Sequence, residues 1–291
     1  MKSQLRLLLP LSIAAVVGAL MPLSAMAATD PGLGTAGNFA VLAGSIVTNT
    51  GPSWITGTIG VSPGIGVPPH ITGFPPGTSG TRHDADSVAA TGHADLVTAF
   101  GNASSPPQSA CTTVGPSLSG LTLGPGTYCS GAAATNLAGT LTLNGSGVYI
   151  FQMSSTLITS SGSRVSLIGG AQPCQVFWQV NSSATIGTST TMVGTIMALT
   201  SIAMQTGATL NGRALAENGA VTLDTNRIIR PSGCGYGVPT YVPPPSGNIL
   251  PATLGIPSEL LGEIPWLFAI GAGSGLVALW LVAARRRRRK A

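Results

Sequence analysis

A mainly β solenoid carrying one long helix is the fold class this sequence predicts, and three observations predict it. Threonines and glycines recur at a fixed offset: Thr188-x-x-Thr191 before Gly194 returns eighteen residues later as Thr206-x-x-Thr209 before Gly212. Three runs are apolar at both alternating positions, which marks strands buried on two faces. They are GVYIFQM from Gly147, QVFWQV from Gln175 and GTIMALTSIAM from Gly194. One long segment alone, Thr81 to Ala103, spaces Val88, Leu96, Val97 and Phe100 near 3.6 residues.

The elements follow in chain order. Lys2 and Arg6, the apolar run Leu7 to Leu20 and the small-x-small pattern Ala25-Met26-Ala27 predict a signal peptide over residues 1–27. A folded domain over 28–235 is long enough for one sizeable core. Its helix is expected over 81–103, with Asp84 and Asp86 in the first turn facing the positive end of the helix dipole.

Almost everything else in the domain is rich in Thr, Ser, Gly and Val and broken by Asn-Gly and Gly-x-Gly turns. Setting Ser155–Ile168 on Ser183–Ile196 at an offset of 28 aligns Ser160 with Thr188 and Ser163 with Thr191. LTLNG from Leu141 matches ATLNG from Ala208, and AVTLDTN from Ala220 continues the series with a one-residue slip that brings in Thr225. Repeats near 18 to 20 residues with no helical pattern inside them predict coils that stack and bury a common core. The doubly apolar runs need a cover on their outer side, and the helix is the cover expected. The Thr/Ser segments then form a side that faces water.

Cys111, Cys129, Cys174 and Cys234 are an even set in an exported chain, which points to disulfides. Of the three possible pairings, Cys111 with Cys129 and Cys174 with Cys234 is favoured, the first clipping a loop and the second tying down the domain end. Residues 236–263 read as a proline-rich spacer. The apolar run 264–284 is long enough to span a membrane as a helix, and the basic tail 285–291 sets its cytoplasmic end. The formal charge of +5 comes from the two ends: between Ala28 and Glu263 five arginines face eight acids, net −3, so no basic patch exists for nucleic acid.

Enzyme chemistry finds little support. Asp224, Glu217, Arg164 and Arg213 are too sparse for the paired carboxylates of a polysaccharide-cleaving β-helix and read as surface or turn-capping groups. His83, Asp84, Asp86, His93 and Asp95 do not converge as metal ligands on one helix face and read as a solvated surface. No cofactor motif is present. What remains is the threonine array: a hydroxyl and a methyl repeated on stacked strands make a lattice of weakly polar groups that orders water. Residues three apart do not share a face on an ideal strand, so a bulge or corner is expected between Thr188 and Thr191.

The runs LGTAGNFAVLAGSIVTNTG from Leu33, GVYIFQM, CQVFWQV from Cys174 and GRALAENGAVTLD from Gly212 resemble the bacterial and fungal ice-binding proteins of the DUF3494 domain, over nearly the whole exported domain. The resemblance implies an irregular right-handed β-helix of triangular cross-section with one long helix along one face. It implies an ice crystal surface as partner, met by a flat, helix-free face, on which some members carry a T-A/G-x-T/N motif. Thr206-Gly207-Ala208-Thr209 matches that motif. Thr188-Ser189-Thr190-Thr191 departs at its second position, Ser160-Ser161-Gly162-Ser163 departs further, and Thr225-Asn226-Arg227-Ile228 brings in a charge. The face is therefore expected at Ser160, Ser163, Thr188, Thr191, Thr206, Thr209 and Thr225, with recrystallisation inhibition and modest thermal hysteresis as its activity. The C-terminus, with LPATLG from Leu250, resembles the signals read by sortases and exosortases, which implies either a sorting enzyme as partner or a plain membrane anchor. The alternative reading is a cell-surface adhesin or structural solenoid without ice activity.

Overall fold

The computed structural model describes residues 28–105 and 111–232. The chain divides into two units, Met1–Tyr236 and Gly237–Ala291, and the second lies wholly outside the described residues. So do the expected signal peptide, spacer, membrane span, basic tail and Cys234. Among the described residues no helix is long and apolar enough to cross a membrane.

Every strand pair is parallel, as coils stacked rung on rung require. Each full coil contributes a strand segment to each of three faces. One face is a seven-stranded sheet ordered Ala134–Leu137, Thr156–Thr159, Ala184–Ile186, Ile202–Met204, Val221–Asp224, Val47–Thr50 and Ile71–Thr72. The other two faces form one fourteen-stranded sheet, because the eight-residue strands Thr191–Ala198 and Thr209–Ala216 each turn a corner and belong to both. Glycine is obligatory at that corner. Gly194 has φ +102°, and a Cβ on Gly212 would collide with the Gly194 carbonyl one rung away.

The helix-covered face carries the double burial expected of GVYIFQM, QVFWQV and the first half of GTIMALTSIAM, whereas the second half of that last run, Ile202–Met204, lies instead on the seven-stranded face and turns Ala203 outward. Phe39, Leu42, Ile150, Phe177, Met197 and Leu215 point outward and are sealed by Leu96, Ala99 and Ala103 of the helix together with Leu33 and Ala36. The alternate residues point inward, where Phe151 stacks on Trp178 with ring centroids 4.2 Å apart and on Tyr128 at 5.4 Å. Trp178 completes its burial by donating Nε1–H to the Val193 carbonyl at 2.9 Å. Further along the same inward row the rings give way to Ile196, Ala214 and Val41.

The helix spans Ser87–Ala103, six residues later than expected at its start. Arg82–Asp84 instead pairs with Thr58–Val61, because the open edge of that rung offers backbone partners that a first helical turn would leave unused. Asp84 consequently meets His70, Nδ1 to Oδ1 at 2.7 Å, rather than the helix dipole. Asp86 is the N-cap, its carboxylate accepting from the Ala89 amide at 2.9 Å. Seventeen residues span about 25 Å, and the helix carries the chain from the rung of Arg82–Asp84 back toward Thr112–Thr113 at the opposite edge of the face.

Two further sequence expectations change. The copy beginning near Ser155 pairs at an offset of 27, with Leu157 on Ala184, Ile158 on Thr185 and Arg164 on Thr191. A one-residue slip exchanges inward for outward side chains, so the expected alignments of Ser160 and Ser163 fail with it. Arg213, expected at the surface, is only 1% exposed: it lies beneath the N-terminal 3-10 turn Gly34–Asn38 and donates Nε–H to the Gly37 carbonyl at 3.0 Å. Cys111–Cys129 is bonded as expected, with Cα atoms 5.9 Å apart, next to the return of the helix segment into the stack. No described cysteine is free.

Leu96→Ala is expected to lower the unfolding free energy by about 2–5 kcal/mol, against less than about 0.5 kcal/mol for Val88→Ala on the exposed side of the helix; urea titrations of the two variants measure the difference. The Asp86 carboxyl is held below its ordinary value by the Ala89 amide and then by His83. A depressed folded value places its stabilisation above the unfolded carboxylate range and removes it as the pH falls through the folded value. Asp86→Ala should therefore melt below the parent at pH 7, and the gap should close on acidification below about pH 4.

Candidate functional site

The expected threonines sit at the corner between the seven-stranded face and the third, helix-free face. Backbone bonds from Gly162 to Thr188, Ser189 to Thr206, Gly207 to Asp224 and Thr225 to Thr50 fix how the corners stack. They set a four-residue frame: Ser161 to Arg164, Thr188 to Thr191, Thr206 to Thr209, and Asp224 to Arg227. The second position is left-handed in each, with φ +70° at Gly162, +56° at Ser189, +70° at Gly207 and +52° at Thr225. The third, Ser163, Thr190, Ala208 or Asn226, is buried. The fourth begins a strand of the third face. The corner anticipated between Thr188 and Thr191 is thus present, and the first and fourth positions lie on different faces.

This geometry separates the residues expected to act together. Thr188 and Thr206 line the corner, and Thr206 donates its hydroxyl to Asp224 at 2.5 Å. Thr191 and Thr209 are in register on the third face, where Arg164 and Arg227 are their neighbours in the same row. Ser160 is exposed but one residue outside the frame. Ser163 is a correction: it is 1% exposed and its hydroxyl is turned to the carbonyls of Leu137 at 2.8 Å and Ser160 at 2.7 Å. Thr225 occupies the left-handed turn itself and donates to Asp224 at 3.0 Å.

The outward side of the seven-stranded sheet is different. Its central row holds Thr185, Thr222, Thr48 and Thr72, with Asn136, Ile158 and Ala203 at the remaining places, all in register. The alternate residues, such as Leu157, Ala184, Ile202, Val221 and Val47, are fully buried. Asp224, at the corner, is the one charged residue in these strands. Among the described residues no helix covers this side, since the helix Ser87–Ala103 packs on the other sheet. Sequence reasoning missed these threonines because it followed Thr-x-x-Thr. The signal that finds them is a threonine between inward-facing neighbours, as in Ala184-Thr185-Ile186, Val221-Thr222-Leu223 and Val47-Thr48-Asn49.

Apart from Asp224, the histidines and carboxylates that pair with one another lie elsewhere. His83 meets Asp86 at 2.7 Å, and His93 donates a ring N–H to the Glu217 carbonyl at 2.7 Å. Burial pushes the Glu217 carboxyl above its ordinary value. Among the described residues no three His, Cys, Asp or Glu side chains are placed to hold a metal ion.

A family model described as Ice-binding-like matches residues 41–229. The chain is 44% identical over 273 residues to an ice-binding protein of Nostoc sp., covering 91% of each chain. It is 34% identical over 218 residues to an ice-binding protein of Flavobacterium frigoris, covering 68% of this chain and 76% of that one. Among solved structures, an ice-binding protein from an Antarctic biological consortium superposes with a TM-score of 0.67 at 44% identity, over 72% of this chain and 95% of the other. That of the ascomycete Antarctomyces psychrotrophicus gives 0.64 at 38%, over 69% and 98%.

The left-handed corner positions make a stability prediction. Ser189→Gly and Thr225→Gly relieve a conformation that costs a side-chain-bearing residue about 1–2 kcal/mol, so each should raise the unfolding free energy by a fraction of that. Gly207→Ala should lower it by about 1 kcal/mol even though its Cβ would meet open space. Chemical denaturation of the three variants reads both signs.

Proposed function

The chain belongs to the Ice-binding-like family, and we propose that it adsorbs to ice through the outward side of its seven-stranded sheet. The observation that carries this reading is the in-register row of Thr185, Thr222, Thr48 and Thr72 on a face that, among the described residues, has no helix over it and no charge short of its corner. Rungs about 4.8 Å apart and same-face residues about 6.7 Å apart along a strand place hydroxyl and methyl groups on a two-dimensional grid. The methyl groups hold water off, and the hydroxyls anchor it at repeated sites. Water ordered this way joins a growing crystal without first giving up an ionic hydration shell.

The third face is a poorer match to ice because Arg164 and Arg227 interrupt its row at Thr191 and Thr209. Ile158 and Ala203 interrupt the threonine row on the seven-stranded face, which favours recrystallisation inhibition with modest thermal hysteresis. The activity is adsorption rather than catalysis. It operates outside the cytoplasm, with residues 28–235 as the binding domain, 1–27 as the export signal and 264–284 as the membrane anchor or the span of a sorting signal.

The purified chain should reshape ice crystals and inhibit recrystallisation; crystals that grow unaltered beside an active control would sink the reading. Thr222→Tyr and Thr48→Tyr should remove most of the activity, Thr209→Tyr far less, and Val97→Tyr on the helix none. The opposite ranking of Thr222 and Thr209 would move the ice surface to the third face.

A further inference from the structure

The outward row of the third face begins at Thr140 and continues in register through Arg164, Thr191, Thr209 and Arg227 to Trp54. At roughly 4.8 Å per rung it is about 24 Å long. Both guanidinium side chains are exposed, and among the described residues neither takes part in an ion pair. Asp224, the carboxylate at the nearby corner, accepts instead from the hydroxyls of Thr206 and Thr225. Near the end of the row, one rung before Thr78, Trp54 is 62% exposed although its strand neighbour Ile55 is buried, a placement at odds with the usual high burial of tryptophan. The adjoining outward row adds hydrogen-bonding groups from Ser166, Asn211 and Thr56.

We propose that this row is a second binding surface, distinct from the ice face, for an acidic polysaccharide lying along the stack. Arg164 and Arg227, three rungs and about 14 Å apart, suit carboxylates that recur along an extended chain, because the planar guanidinium fork pairs both oxygens of a carboxylate. An exposed indole packs the C–H face of a sugar ring while leaving its hydroxyls in water. Thr191 and Thr209 lie between the two cations, low enough for a chain to pass over them and polar enough to bond it. Charge complementarity selects the acidic class: Asp84, Asp86 and Asp95 lie in or beside the helix, so an anionic polymer is drawn to the third face and repelled from the helix side. The ionic part of the attraction weakens with salt.

Equilibrium binding of the full chain to immobilised polygalacturonate, neutral dextran and double-stranded DNA tests this. Expected is binding to polygalacturonate at low salt, weakened by at least about tenfold in the double variant Arg164→Gln/Arg227→Gln, from loss of two charge-assisted pairs. Trp54→Ala, with an unchanged melting temperature, should weaken it as well, and dextran should bind little. Equal binding by parent and variants would assign the attachment to the basic C-terminal run and overturn the proposal. Binding to DNA but not to polygalacturonate, with the same dependence on the two arginines, would overturn it in favour of nucleic acid. Ice shaping is read separately on the same variants and should be unaffected, so failure here and failure of the ice face are seen independently.

Discussion

The hydrogen-bonded register between neighbouring rungs is the constraint on which everything else in this domain depends. Each coil uses its backbone groups on the coils above and below, so a side chain's place in one rung dictates which side chains of the next rung it touches. The same register that stacks Phe151 on Trp178 inside the solenoid lines up Thr185 with Ala203 and Thr222 outside it. The core demands it, because a slip of one residue would turn an inward row out to water. The outer rows are therefore held in line by the packing beneath them, and a surface built this way needs no contacts of its own to stay ordered.

The three faces share this backbone plan and differ in what covers them. Where one outward row holds Ile150 and Phe177 and the next holds Met197, Leu215 and Leu42, burial requires a lid, and the helix with its capping Asp86 provides one. Helix residues Leu96, Ala99 and Ala103 present small or compact side chains to those rows, and Gly92 lets the Phe39 ring approach the helix backbone, where a Cβ would collide with the ring. Where the outward row is threonine, water is the cover, and the face stays open. Arg213 shows the cost of mixing the two: a cation in a covered row is tolerated because the carbonyl of Gly37 in the overlying turn and the Thr195 hydroxyl accept hydrogen bonds from it.

Much of this could be read in the sequence, and the parts that could not have physical reasons. The doubly apolar strands and the single amphipathic segment were legible because burial on two sides and a 3.6-residue period leave local patterns. The 18-residue offset between Thr191 and Thr209 and between Gly194 and Gly212 was legible because both coils have the same length there. The offset of 27 around Ser163 was misread by one, since similarity between short Ser/Thr runs does not distinguish neighbouring registers, whereas the buried row through Leu157 and Ala184 does. The position of the first coil was not legible at all. Phe39–Ala43 sits between Thr209–Ala216 and Thr58–Val61, so the first rung in the chain stacks on the last, and no periodicity along the sequence reports a neighbour so remote.

The corner frame explains why a motif of the form Thr-Gly-x-Thr is an uncertain guide to a binding plane. Its second residue is left-handed because the chain must change direction between two faces, which favours glycine there whatever the face contacts. Its third residue turns inward and is chosen by the core, as Ala208, Thr190 and Ser163 each are. The motif thus records the turn first. A plane of threonines arises only where successive rungs bring the same strand position to the same side, and at Thr48, Thr72, Thr185 and Thr222 that position lies in mid-strand, between residues the core has already fixed. Flatness and regularity at the surface are then consequences of burial below it, and charge is the variable that remains free: its absence on the seven-stranded face and its presence at Arg164 and Arg227 separate two surfaces that the backbone makes alike.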